Sequence, residues 1–463
     1  MEQQNAKQNK LGTERVGRLL FRLAMPAIAA QIINVMYNMV DRMYIGHIPE
    51  VGAAALTGVG VTMPVIMAIT AFAYFVSMGG APRSSIMMGK GKMEEAEKIL
   101  GNCTVMLVIV ALLLTLVFQI FGREILLLFG ASENTIGYAW DYMRIYSMGT
   151  IFVQLSLGLN AFITAQGYAK TSMLTVLIGA VCNIILDPIF IFGFNMGVRG
   201  AALATIISQA ISSVWVVYFL ASGKTTLSIK WKRMKLETAV VLPCMALGLS
   251  PFIMSFTESA ISVCFNSSLL KYGGDIAVGA MTILTSVMQF SMLPLQGLTQ
   301  GSQPIVSFNY GAGNGERVKK TFQILFVSAV TYSTLLWALA EFVPQMFVAI
   351  FTSDPQLTEY TIWALQIYMA TSLMFGAQVA CQQTFIALGN AKASVFLALL
   401  RKVILLIPLI FILPLFVENK PMGVFLAEPV ADFCAVCVTV TMFAISFKKV
   451  LKEMKGRKKR PVA

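Results

Sequence analysis

The chain has 463 residues, of which 57% are hydrophobic and 12% charged, with a mean hydropathy of +0.75. So little charge cannot solvate an ordinary soluble domain of this size, and the bilayer becomes the solvent. The net charge of +13 would suit nucleic acid, but its placement between apolar runs argues against that partner.

Apolar runs long enough to be spans recur from end to end, since about 20 residues of helix cross a hydrocarbon core ~30 Å thick. Helices and closed barrels alone satisfy their backbones there, and these runs are helical in length. The expected spans are 19–45, 52–80, 99–121, 138–165, 173–194, 200–222, 239–270, 277–305, 321–343, 360–387, 395–416 and 422–447. The fold expected is therefore all-α, integral to the membrane, with twelve transmembrane helices. The first apolar run is long and lacks a short h-region with a small-residue cleavage site, so it reads as a span and not as a cleaved signal.

Of the 35 Lys and Arg, 29 lie in the N-terminus, the loops after even-numbered spans and the C-terminal tail, with Arg401 and Lys402 counted at the inner end of span 11. By the positive-inside rule both termini are expected in the cytoplasm of a cell-membrane protein. A shift of 222 residues aligns Pro82 with Pro304, Gly89 with Gly311, Gly91 with Gly313, Glu94 with Glu316, Gly167 with Gly389 and Lys170 with Lys392, without a gap. That is a duplication. Six spans per repeat is an even number, so the halves are expected as two six-helix bundles related by a pseudo-twofold axis along the membrane normal, as in transporters that rock around a central site. The expected segments are an N-terminus (1–18), an N-lobe (19–222), a basic linker (223–238) that includes Lys224, a C-lobe (239–447) and a basic tail (448–463).

In chain order, span 1 carries Gln31, Asn34, Asn38 and Asp41 on one helical face, with Tyr37 beside them and Pro26 one to two turns earlier as a site of bending. Span 5 places Asn183 and Asp187 on one face, and Pro188 is expected to open the backbone at Asp187. Both carboxylates fall toward the outer ends of their spans. If they meet, burial and mutual repulsion would keep a proton on one of them, within reach of physiological exchange. Asn34, Asn38, Asn183 and Tyr37 would equally offer oxygens to sodium. The competing reading is that Asp41 pairs with Arg42 or caps the helix at the interface.

Span 7 aligns Ser255, Glu258 and Ser262, and span 8 aligns Thr282, Thr285, Gln289, Gln296, Gln300 and Gln303. Span 10 carries Gln378, Gln382 and Gln383, and span 12 carries Glu428 and Asp432 near Pro429. Glu258, Gln289, Gln296, Gln378 and Gln382 are candidates for a substrate or second ion site, with interhelical hydrogen bonding as the alternative. The seven cysteines read as small core residues, and Cys434 and Cys437 form a CxxC without a second ligand pair. His47 is the one histidine, so zinc sites and hydrolase triads are not expected, and Gly89-Lys90-Gly91-Lys92 lacks Walker spacing. No enzyme activity, metal or cofactor is expected beyond a coupling ion.

The runs Tyr37-Asn38-Met39-Val40-Asp41, Tyr44-Ile45-Gly46, Asn183-Ile184-Ile185-Leu186-Asp187-Pro188-Ile189-Phe190-Ile191-Phe192-Gly193 and Gly200-Ala201-Ala202-Leu203-Ala204-Thr205 resemble the multidrug and toxic compound extrusion (MATE) transporters. The resemblance covers essentially the whole chain and points to the prokaryotic branch with DNA-damage-inducible and multidrug-resistance members. It implies antiport of amphipathic organic cations or drugs against protons or sodium, with Asp41 and Asp187 matching the N-lobe acidic site and Asn183 its neighbour. Glu258 resembles an acidic position of the sodium-linked branch, yet span 10 offers no carboxylate, which makes proton coupling through the N-lobe the leading expectation. A monomer is expected. A flippase for lipid-linked saccharides is the first alternative and a channel the second, but a flippase cavity needs buried bases for pyrophosphate.

Overall fold

The computed structural model describes residues 10–223 and 225–458. Lys224 of the expected linker, residues 1–9 of the N-terminus and residues 459–463 of the tail lie outside the described residues.

The first half runs α1 (Val16–Gly46), α2 (Gly52–Val61), α3 (Met63–Gly89), α4 (Met93–Leu128), α5 (Ile136–Met148), α6 (Thr150–Ala165), α7 (Ala169–Pro188) and α8 (Val198–Ala221). The second runs α9 (Thr238–Gly311), α10 (Gly315–Phe342), α11 (Pro344–Val348), α12 (Pro355–Tyr368), α13 (Phe375–Ala387), α14 (Ala391–Leu399), α15 (Ile407–Phe416) and α16 (Lys420–Lys458). Among the described residues nine helical stretches are long and apolar enough to span, and two bent pairs, α5 with α6 and the Ser372–Ala387 stretch with α12, bring the number to 11. The twelfth span is inside α9. This helix of 74 residues is broken at Gly274, whose φ of 67° and ψ of −163° belong to a region open to glycine alone. The sequence suggests a loop near 271–276, but one glycine makes the reversal.

The duplication is written in the backbone. The bent spans of the two halves bend by 58° and 46°. Gly91 and Gly313 have φ of 75° and 71°, and Gly167 and Gly389 have φ of 85° and 76°. Each glycine ends a helix in the left-handed conformation, where a Cβ is costly. The fold is thus two six-helix bundles repeated within one chain.

The bundles meet at the end that carries the termini and the linker. There Gly79 and Gly89 of α3 lie against the carbonyls of Cys244 and Phe308, while Gly248 and Gly311 of α9 lie against those of Phe75 and Ile86. A methyl at any of the four would overlap a carbonyl oxygen. Ahead of α1, the carbonyls of Leu11 and Glu14 accept from Arg317 Nη2 at 3.0 and 2.8 Å, and Leu11 also accepts from Asn309 Nδ2 at 2.9 Å. The rings of Phe72 and Phe75 against Phe252, at 5.0 and 5.2 Å, close the interface near mid-depth. Beyond Phe252, no hydrogen bond, ion pair or ring contact joins the bundles among the described residues. The contact is a wedge, closed at the termini and open at the other end.

Substituting Gly248→Ala or Gly311→Ala is expected to oppose this closure by about 1–3 kcal/mol, the usual cost of overpacking. Cysteine-labelling rates at the terminal end of the interface should rise accordingly, while the same change at Gly60, where a Cβ meets nothing within 4 Å, should leave them unaltered.

Candidate functional site

Helices α1 and α7 pack side by side, and their polar faces meet. The carboxyl groups of Asp41 and Asp187 lie at hydrogen-bonding distance from each other. Asp187 is fully buried, Asn183 is nearly so, and Asn183 Nδ2 donates to Asp187 Oδ1 at 3.2 Å and to Thr205 Oγ1 of α8 at 3.4 Å. Asp41 Oδ1 and Asp187 Oδ2 are buried without a protein donor. A single proton between the two carboxyls removes both deficits. Arg42 is exposed and forms no ion pair with Asp41 among the described residues, although it lies within electrostatic reach.

Around the pair stand aromatic hydroxyls, of which Tyr37 was expected and Tyr74, Tyr142 and Tyr146 were not. Tyr37 and Tyr142 lie within electrostatic reach of both carboxyls, and Tyr142 stands close to Thr205. Tyr142 and Tyr146 stack at 5.9 Å, with Tyr37 near Tyr146 and Tyr74. Tyr142 and Tyr146 sit at a spacing of four on α5, and that spacing was the signal available.

Other expectations need correction. Asn34 is exposed and Gln31 half-buried, and Asn38 spends its Nδ2 on the Asn34 carbonyl at 2.6 Å. The span 1 stripe therefore contributes Tyr37 and Asp41 to the cluster, and Asn34 stays outside it. Helix α1 continues unbroken through Pro26. Asp187 itself is helical, and the backbone widens one residue past Pro188, in a π-helical turn at Ile189–Gly193. Proline removes a donor from its own turn, and the chain relaxes on its C-terminal side.

The C-lobe holds a second charged cluster. Between α14 and α15 a π-helical segment, Leu400–Leu406, carries Arg401 and Lys402. The sequence reading put both near the inner end of span 11, but they lie well inside the Ala391–Phe416 span, facing carboxylates. Lys402 Nζ is 2.7 Å from Glu258, Arg401 Nε is 2.5 Å from Asp432, and Arg401 Nη2 is 3.5 Å from Glu428. Arg401 also lies 5.5 Å from the centre of the Phe375 ring. Gln378 Nε2 donates to Gln382 Oε1 at 3.2 Å, and Gln382 Nε2 lies 3.1 Å from Met254 Sδ, both glutamine side chains being buried. Gln289 and Gln296 are exposed and join neither cluster. Cys434 and Cys437 are exposed as well, contrary to a core role.

A family model, MatE, matches residues 26–189 and again 251–412, one match in each repeat. The chain belongs to the MatE family. It is 25% identical over 427 residues to the multidrug export protein MepA of Staphylococcus haemolyticus, covering 92% of this chain and 93% of that protein. MepA of Staphylococcus aureus strain NCTC 8325 is 24% identical over 403 residues, covering 86% and 87%. Among solved structures, the MATE multidrug transporter DinF-BH superposes with a TM-score of 0.86 at 33% identity, over 94% of this chain and 96% of that one. An outward-facing multidrug resistance MATE transporter superposes with a TM-score of 0.88 at 20% identity, over 95% and 98%. As a MatE protein the chain is a multi-pass membrane transporter and not an enzyme.

Asn183→Leu keeps the volume but removes the donor to Asp187, and a buried acceptor left unpaired costs roughly 1–3 kcal/mol. A lower thermal-unfolding midpoint of the purified protein is expected, with Asn34→Leu, at an exposed position, as the unaffected control.

Proposed function

We propose that the protein is an antiporter that exports amphipathic organic cations in exchange for protons, by alternating access between its two lobes. The observation that carries the proposal is the carboxyl-to-carboxyl contact of Asp41 and Asp187. Two carboxylates at that distance repel when both are ionised, and one proton held between them removes the repulsion. Loss of that proton would drive α1 and α7 apart at their polar faces. The coupling would thus act on the helix that also packs on the C-lobe through Ile28 and Ala24, which lie against Gly297 and Gly301.

Asn183 Nδ2 donates to Asp187 Oδ1, while Asn183 Oδ1 is buried without a partner among the described residues and offers an oxygen to sodium as readily as the carboxyl pair offers a place to a proton. Proton coupling is the reading favoured over sodium because span 10 carries glutamines and no carboxylate for a C-lobe sodium site. The wedge, closed at the terminal end, corresponds to an outward-open state if both termini are cytoplasmic, the orientation favoured by the positive charge of the even-numbered loops. The names of the MepA proteins and of DinF-BH support drugs as the substrate class. A flippase for anionic lipid-linked sugars is disfavoured because Arg401 and Lys402 are both engaged by carboxylates. One chain supplies both lobes, so a monomer suffices.

Vesicles containing the protein and an imposed proton gradient should move ethidium, and Asp187→Asn should reduce that flux to the level of empty vesicles. Undiminished gradient-driven flux in that variant would remove the proposed role. Asp41→Asn is expected to be severe and Arg42→Gln mild; equal, mild defects would return Asp41 to the interface. Replacing sodium by choline at a constant proton gradient should leave the rate unchanged, whereas a collapse would transfer the coupling to sodium.

A further inference from the structure

The C-lobe cluster contains three carboxyl groups, Glu258, Glu428 and Asp432, against two bases, Arg401 and Lys402. With all five ionised, one negative charge is left over, and on the buried pair Glu428 and Asp432 such an uncompensated charge is costly enough to hold a proton. The shortfall is local. Glu428 and Asp432 share Arg401, and Asp432 Oδ2 is buried without a protein donor. Tyr368, from α12, is the other titratable group facing this cluster.

The members differ in access. Glu258 has a side-chain exposure of 55%, against 7% for its partner Lys402, 5% for Glu428 and 2% for Asp432. Glu258 lies six residues past Phe252 on α9, roughly 9 Å farther from the closed end at ~1.5 Å per residue. It is the member of the cluster that an arriving cation meets first. Its carboxylate is already occupied by a tethered ammonium on a flexible four-carbon stem, and that ammonium is also within electrostatic reach of Glu428.

We propose that this cluster is a second exchange site, in which Lys402 is a resident cation that an arriving organic cation displaces from Glu258. The freed ammonium moves to Glu428 and Asp432, and the proton held there leaves. No covalent bond changes except the O–H that releases its proton to water, and the net charge of the cluster is the same before and after. One organic cation enters and one proton departs. The inference rests on the proposed export of cations against protons, but it places a part of the exchange on residues other than Asp41 and Asp187.

The test is proton release on binding, measured with a pH indicator in weakly buffered solution as ethidium is added to the purified full-length protein. The Asp41→Asn/Asp187→Asn double variant is expected still to release about one proton per ethidium bound. Adding Lys402→Met should keep binding and abolish the release, and adding Lys402→Arg instead, which restores a tethered cation, should preserve it. Glu428→Gln in the same background should also bind without release. Binding without release by the double variant would overturn this inference while leaving the N-lobe reading intact, and continued release from the Lys402→Met variant would overturn it as well. A wild-type protein that binds ethidium and releases no proton would sink both readings.

Discussion

A hydrocarbon solvent offers no partner to a polar group, and the architecture of this chain follows from that single penalty. The backbone satisfies itself as helices. The helices bend in the fourth and tenth spans and widen in two π-helical turns. Charges inside the spans gather into two clusters because a lone one would be too costly. In the N-lobe that rule produces a like-charged pair, which needs a proton. In the C-lobe it produces a mixed network of opposite signs.

The same penalty shapes the contact between lobes. Four glycines bring backbone against backbone, and the strap ahead of α1 is held by Arg317 and Asn309 through carbonyl groups. Packing of this kind is strong when complementary and lost over a short separation. The interface can therefore hold one state firmly and still release it when a few contacts part. Among the described residues no ion pair across the lobes has to be dismantled.

Much of this was legible beforehand because hydropathy, charge alternation and a fixed repeat are properties of sequence alone. Twelve spans, two bundles and the face shared by Asn183 and Asp187 follow from spacing. The meeting of Asp41 with Asp187 does not, since helix periodicity says which side a residue is on and not which helix faces it. Arg401 and Lys402 were misread for a related reason. Basic residues in a loop and basic residues mid-span look alike in a charge count, and the carboxylates that neutralise these two are on α9 and α16, far away in the chain. The turn between spans 7 and 8 was legible near 271–276, but not that Gly274 alone would make it, because the conformation of one glycine leaves no mark in hydropathy. Tyr142 and Tyr146 were not singled out, although each carries a hydroxyl that a buried site has to satisfy.

The run from Thr238 to Gly311 is helical on both sides of its one break, and its two ends both press on the N-lobe, through Gly248 and Gly311. Its two arms thus form a hairpin whose tips are held by the N-lobe and whose fold is held by Tyr360 and Pro421 of its own bundle. The hairpin is therefore a lever with its pivot at Gly274, and any rocking of one lobe on the other has to turn both arms together.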